Sequence, residues 1–84
     1  MSLYDPLYEY LTNMAASRGD ITLRFADLEQ ILGMALPESA YVRRPWWGNE
    51  TSADGQSQAR AWVAAGWRVD SVDLGAERVH FRRA

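Results

Sequence analysis

The chain has no cysteine, no lysine and only one histidine among its 84 residues. The lack of cysteine excludes a disulfide framework, a thiolate nucleophile and cysteine-ligated zinc. His80 alone supplies too few imidazole ligands for a typical transition-metal site, and any relay between a nucleophile and a histidine would have to use it. We therefore expect no metal, no cofactor and no enzymatic activity.

Long apolar runs are also missing. No stretch approaches the roughly 20 residues needed to span a bilayer, and no signal peptide opens the chain, so we expect a cytoplasmic protein with no membrane partner. A chain of 84 residues is expected to form one small domain, 1–84. Its composition, 48% hydrophobic and 12% aromatic, is too apolar for a disordered tail and supplies the core of that domain.

The basic residues are unevenly distributed. All nine are arginine, and the net charge is −2. Residues 1–40 carry two arginines against six acids, whereas residues 41–84 carry seven against five. A domain with this charge separation can present a basic face to phosphate despite its negative total. Two explanations for the lack of lysine stay open: recognition by guanidinium groups, or a GC-rich genome that enriches arginine codons.

Two pairs of carboxylates are close enough in the sequence to raise the question of acid–base chemistry. Asp27 and Glu29 are two residues apart on a predicted helix, so their side chains do not face each other. Asp70 and Asp73 flank a predicted bulge on an exposed hairpin. Solvated cap and turn carboxylates explain both pairs, and no catalytic residue is expected.

The first half of the chain predicts a helix, a strand and a second helix. The Asp5-Pro6 pair indicates a helix start, because proline follows a carboxylate N-cap, and we expect this helix to end near residue 17 with Gly19 as its left-handed cap. The alternating segment 21–25 predicts a strand. Apolar spacing over 26–32 predicts a two-turn helix closed by Gly33.

The second half predicts an irregular connection, a third helix and a hairpin. Residues 34–51 are irregular, although 37–40 could open a further helical turn. The third helix is expected over 56–65, stopped by Gly66.

Two strands are expected at the end of the chain. They cover 67–74 and 78–82, and a short glycine-containing turn over 75–77 joins them. The apolar alternation changes parity between Val69 and Val72. One extra residue would restore the alignment, so we expect a β-bulge near Asp70-Ser71.

The order of these elements is typical of an α+β, winged-helix-like fold. In that fold three helices pack on a small antiparallel sheet, the final β-hairpin is the wing, and the third helix is the recognition helix. The connection departs from the pattern. A helix-turn-helix has about three or four residues between its helices, whereas this chain has a long irregular segment that is either functional or hides another element.

The third helix predicts one buried and one exposed face. The inward residues are expected to be Ala59, Trp62, Val63 and Gly66, and the outward ones Ser57, Arg60, Ala61 and Ala64. The small outward residues would let the helix approach a DNA groove, where Ser57 and Arg60 could reach a phosphate or a base edge.

Residues 43–49 form the densest basic and aromatic segment. One interpretation is a DNA-binding arm, with Arg43 and Arg44 on phosphates, Trp47 stacked on a base and Asn49 reading adenine. The other is structural: Trp46 or Trp47 fills the core, the arginines face water, and Asn49 makes a turn.

The last strand adds outward-facing candidates. Arg78, His80 and Arg82 alternate with the apolar Val79 and Phe81. His80 is expected to be a surface histidine or a phosphate contact.

The chain also resembles a small uncharacterised bacterial and phage domain that occurs alone or beside nuclease-like modules. The strings that carry the resemblance are Leu36-Pro37-Glu38-Ser39-Ala40, Trp46-Trp47-Gly48-Asn49, Gln58-Ala59-Arg60-Ala61-Trp62 and Ala65-Gly66-Trp67-Arg68-Val69. The resemblance covers about residues 4–82. It implies no activity, but association with DNA-handling proteins favours DNA binding.

These observations predict a non-enzymatic domain that binds double-stranded DNA. The alternative is a protein-interaction or adaptor module on the same scaffold, and a homodimer is also left open. The placement of the arginines should separate the two: convergence on one face favours DNA, whereas pairing with the hairpin acids favours the adaptor.

Overall fold

A computed structural model of the chain describes residues 3–51 and 57–84, and within them it has an α+β architecture. The elements, in chain order, are α1 (Asp5–Thr12), β1 (Asp20–Arg24), α2 (Phe25–Leu32), α3 (Glu38–Val42), a 3₁₀ helix (Arg44–Trp47), α4 (Ser57–Ala64), β2 (Trp67–Asp73) and β3 (Arg78–Arg83). None of the helices in these two stretches is long and apolar enough to cross a membrane.

The first helix is shorter than its sequence predicts. It ends at Thr12, and Gly19 is not its left-handed cap, because the positive-φ glycines of the described chain are Gly33 and Gly66. The reason lies at the other end of the chain. The Arg83 guanidinium donates to the carbonyl oxygens of Ala15 and Arg18, which holds this segment outside a helix.

The two glycine stops farther along the chain are confirmed. Gly33 follows α2 with φ of 71°, and Gly66 follows α4 with φ of 88°. Both lie in the left-handed region that glycine adopts without steric cost. The further helical turn in the connection is confirmed as α3, and Gln56, the predicted start of the third helix, lies outside the described residues.

The three strands form an antiparallel sheet in the order β1-β3-β2. The predicted bulge is confirmed, since the register of β2 against β3 shifts between Val69 and Ser71. One face of the sheet packs on the helices through Ile21, Leu23, Trp67, Val69, Val72, Val79 and Phe81. The other face, called the outer face below, carries polar residues.

The helices cover the inner face of the sheet with an aromatic stack. Phe25 lies against Trp47 with ring centroids 4.9 Å apart, and Trp47 lies against Trp62 at 6.1 Å, both pairs nearly parallel. Trp62 also meets Phe81 of β3 edge-on at 5.6 Å. This stack joins α2, the 3₁₀ helix, α4 and the sheet into one core.

The buried face of α4 is rotated from the predicted one. Ala59 and Trp62 are buried as expected, but Ala61 is buried too and Val63 is exposed. The cause is the connection, which covers one side of the helix: the buried Gln58 side chain donates from Nε2 to the carbonyl oxygen of Trp46.

The outer edges of the sheet are bonded by side chains. At β1, the Arg18 Nε donates to the carbonyl oxygen of Asp20, and the Asp27 carboxylate accepts from the Arg24 amide. Arg24 and Asp27 also form an ion pair of 3.0 Å, and the Arg24 side chain lowers the pKa of Asp27.

Candidate nucleic-acid interface

The segment 43–49 is anchored to the core by Trp47, although Arg43, Arg44, Pro45 and Asn49 are exposed. Trp47 is 2% exposed, and its indole Nε1 donates to the carbonyl oxygen of Ala40 at 2.8 Å. The prediction that Trp47 stacks on a base is therefore wrong. Burying a tryptophan is among the largest apolar gains available to a small domain, and that gain fixes the segment. Trp46 is half-buried against Trp47.

Asn49 acts as a bridge between β2 and α4. Its Nδ2 donates to the Val69 carbonyl oxygen at 3.1 Å, while its Oδ1 accepts from the Val69 amide and from the Trp62 indole, both at 2.9 Å. The side-chain amide thus makes the two hydrogen bonds that the backbone of a neighbouring strand would make to the Val69 amide and carbonyl. Both ends of the amide are bonded within the fold, which favours the structural interpretation of Asn49 over the reading of adenine.

The two arginines of this segment differ. Arg44 donates from Nη1 to the carbonyl oxygen of Val72, so it also bonds the outer edge of β2. Arg43 is exposed, and its side chain has no hydrogen bond or ion pair to residues 3–51 or 57–84. Of the pair, Arg43 is the one whose guanidinium the fold does not use.

On the outer face, His80 lies between two carboxylates. Its Nε2 is 3.0 Å from Asp20 Oδ2, and its Nδ1 is 3.2 Å from Asp70 Oδ2. Because a carboxylate only accepts, both hydrogen bonds exist together only in the imidazolium form. Two acids lie against the His80 nitrogens and would repel a phosphate, which favours the first of the two expectations for His80, a surface histidine.

The arginines of the outer face are partly paired. Arg82 lies 3.8 Å from Asp70, whereas the exposed Arg78 and Arg68 make no side-chain hydrogen bond or ion pair within the described chain. Arg68 was not among the predicted site residues. Its alternation with Trp67 and Val69 is the signal that places it on this face.

On α4, the exposed residues are Arg60, Val63 and Ala64. Like Arg43, Arg60 has no side-chain partner in the part of the chain that the structure describes. Ser57 opens the helix, but its side chain lies outside the described residues.

The predicted contacts do not converge on one face. The α4 helix packs against α1 and β2 on the inner side of the sheet, whereas Arg78 and Arg82 point from the outer side. The hairpin also does not project as a wing. The ladder between β1 and β3 continues to its turn, where the Phe25 amide donates to the carbonyl oxygen of Glu77.

The carboxylates considered for acid–base chemistry are engaged in the fold. Asp27 caps α2, Asp70 holds His80, and Asp73 accepts from the Ala76 amide in the hairpin turn. Among residues 3–51 and 57–84, no group of three or more His, Asp or Glu side chains is placed to hold a metal ion.

Glu29 joins α2 to α3. Its Oε2 accepts from the Leu36 amide at 2.9 Å and from the Tyr41 hydroxyl at 2.8 Å. The hydrogen bond to Glu29 raises the pKa of the Tyr41 phenol, with burial and the nearby Glu77 carboxylate adding to the effect.

Replacing Tyr41 with phenylalanine is expected to lower the free energy of unfolding by about 0.5–1.5 kcal/mol at neutral pH. Because the folded pKa is raised, the wild-type advantage is fully present below pH 10.0, the phenol's ordinary value, and is lost as the pH rises through the folded value. Urea unfolding of wild type and Tyr41→Phe between pH 7 and about 11 measures this difference in free energy of unfolding. An advantage that stays constant over this range would contradict the assignment.

Comparison with known proteins identifies a family. The family described as "Domain of unknown function (DUF7662)" matches residues 4–84. No curated protein and no solved structure matches the chain. Since the family match covers nearly all of the sequence, the chain belongs to this family, DUF7662.

Proposed function

We propose that the chain is a non-enzymatic, winged-helix-like module that binds duplex DNA through α4. The element order and the strand order β1-β3-β2 support this proposal, with α4 in the place of the recognition helix. The long connection that departs from a helix-turn-helix contains α3 and the 3₁₀ helix, which pack into the core. We interpret it as an insertion between α2 and α4, the two helices that would form the helix-turn-helix.

The observation that carries the proposal is the unpartnered Arg60 on the exposed side of α4. Other arginines serve the fold: Arg24 pairs with Asp27, Arg44 bonds the edge of β2, and Arg83 lies 4.4 Å from the Trp67 ring. A guanidinium that the fold does not use is free to bind phosphate or a base edge.

Arg43 belongs to the same proposed interface. The segment that follows it is tied to the start of α4 by the hydrogen bond from Gln58 to the carbonyl oxygen of Trp46. Like Arg60, Arg43 has a guanidinium without a partner among the described residues, whereas Arg78 and Arg82 point from the outer face of the sheet. The proposed interface includes Arg43 and Arg60 and excludes Arg78 and Arg82.

Fluorescence anisotropy with a labelled random-sequence duplex at several salt concentrations tests this proposal. Wild type is expected to bind at low salt and to weaken as salt rises. Arg43→Gln, the loss of one phosphate contact, should flatten the log–log salt dependence by about 0.9, whereas Arg60→Gln, the loss of a base-edge contact, should leave the slope nearly unchanged. Arg78→Gln is the matched control, because it removes the same charge from the outer face and should leave the slope unchanged. Failure of the wild type to bind at low salt would contradict the proposal.

Three observations favour a second candidate, a protein-interaction module that uses the outer face: the arginines do not converge on one face, Arg82 lies 3.8 Å from Asp70 of the hairpin, and the outer face carries charges of both signs. Charges of both signs are fixed there in a network of Asp20, His80, Asp70 and Arg82. A surface with interleaved charges suits a protein partner better than a polyanion. If the folded wild-type chain does not bind DNA, the protein-interaction module becomes the leading candidate.

A further inference from the structure

We propose that α4 reads a guanine beside a thymine, with Arg60 on the guanine and Val63 and Ala64 on the thymine methyl group. This inference rests on the proposed function, because it names the sequence that the same helix would prefer.

The three residues form one surface. Val63 and Ala64 follow Arg60 by three and four residues, the spacings that place side chains next to one another on a helix. Together with Thr51 they line a shallow hollow of about 220 Å³. Its floor is apolar, from valine and alanine, and the Arg60 guanidinium has no competing acid among the described residues.

This combination matches the chemistry of the major groove. Guanine presents two acceptors there, N7 and O6, which an arginine binds with two parallel hydrogen bonds. Thymine presents a C5-methyl group, which apolar side chains contact. Ala64 is small enough to let the helix backbone approach the base edges. The occupant proposed for the hollow is a base-pair edge of duplex DNA, because the Arg60 guanidinium complements the acceptors of guanine and the apolar floor complements the thymine methyl group.

Exposed valines are common on helices, so the exposure of Val63 alone does not indicate a function. What distinguishes Val63 is Arg60, which lies beside it. Val42 on α3 is more exposed than Val63, at 60%. The arginine nearest to it in sequence, Arg43, is the next residue and not one helical turn away, so the two side chains do not form one surface. Val42 therefore provides a matched control for Val63.

The experiment begins by selecting a preferred site from a randomised duplex library with the wild-type chain. The selected duplex is then compared with one in which thymines are replaced by deoxyuridine and one in which guanines are replaced by 7-deazaguanine. Loss of the methyl group should weaken wild-type binding about fourfold per contacted thymine. Loss of N7 at the contacted guanine should weaken it about 5- to 150-fold.

The variants locate these effects on the helix. Val63→Ala should reduce the difference between the thymine and deoxyuridine duplexes, whereas Val42→Ala should preserve it. Arg60→Gln should abolish the preference for guanine, whereas Arg68→Gln, an exposed arginine on the outer face, should preserve it. The modified duplexes test wild type directly, so the result does not depend on the folding of any variant.

The outcomes separate the two proposals. If wild type binds random duplexes in a salt-dependent way, but selects no site or is indifferent to both base analogues, the base-reading inference is overturned and DNA binding stands. If wild type binds no duplex at low salt, the proposed function itself is overturned.

Discussion

Replacing Trp62 with alanine is expected to unfold the domain or to lower its free energy of unfolding by about 3–5 kcal/mol. The side chain is fully buried, and it contacts the rings of Trp47 and Phe81. Its removal would leave a cavity where the helices meet the sheet. In a chain of 84 residues with no disulfide, such a loss is a large part of the total stability.

Guanidinium unfolding, followed by far-UV circular dichroism, measures this effect. Val63→Ala is the control, since it shortens the next residue of the same helix but at an exposed position. It should change stability by less than about 0.5 kcal/mol. A free energy of unfolding for Trp62→Ala within about 0.5 kcal/mol of wild type would contradict the burial of Trp62 and the phase of α4.

Replacing Asn49 with alanine is also expected to lower the free energy of unfolding strongly. The change removes three hydrogen bonds and leaves the Trp62 indole and the Val69 amide without an acceptor. An unsatisfied buried polar group costs about 1–3 kcal/mol, so we expect a destabilisation of that order.

The Asn49 bridge can be tested separately from the packing of Trp62. Asn49→Asp keeps an acceptor for the two donors but loses the donor to Val69, so it should destabilise less than alanine does. A double-mutant cycle with Trp62→Phe should give a coupling of about 0.5–3 kcal/mol, because phenylalanine removes the indole donor. Additive effects would show that the bond between Asn49 and Trp62 contributes nothing to stability.

Features set by neighbouring residues could be predicted from the sequence. The change of parity between Val69 and Val72 identifies the bulge, and Gly33 and Gly66 identify two helix ends. Each depends on backbone conformation or alternation within a few residues. The order of helices and strands follows from the same local signals.

Features set by distant residues could not be predicted in this way. The early end of α1 depends on Arg83, and the phase of α4 depends on Gln58 contacting the connection. The same is true of the candidate site. Asn49 and Trp47 have the residue types of a DNA-binding arm, but their partners, Val69 and Phe25, are about 20 residues away in the sequence. Only the folded chain shows that their polar and aromatic groups are already used.

The side chains bonded along the edges of the sheet also bear on aggregation. Unpaired strand edges are the usual templates for joining one β-sheet to another. On β2, the Asn49 amide and the Arg44 guanidinium already occupy backbone groups that an incoming strand would need. On β1, Arg18 and Asp27 do the same at its two ends. An invading strand would have to displace polar side chains at each position, so the small sheet is protected against growth into a larger one through these edges.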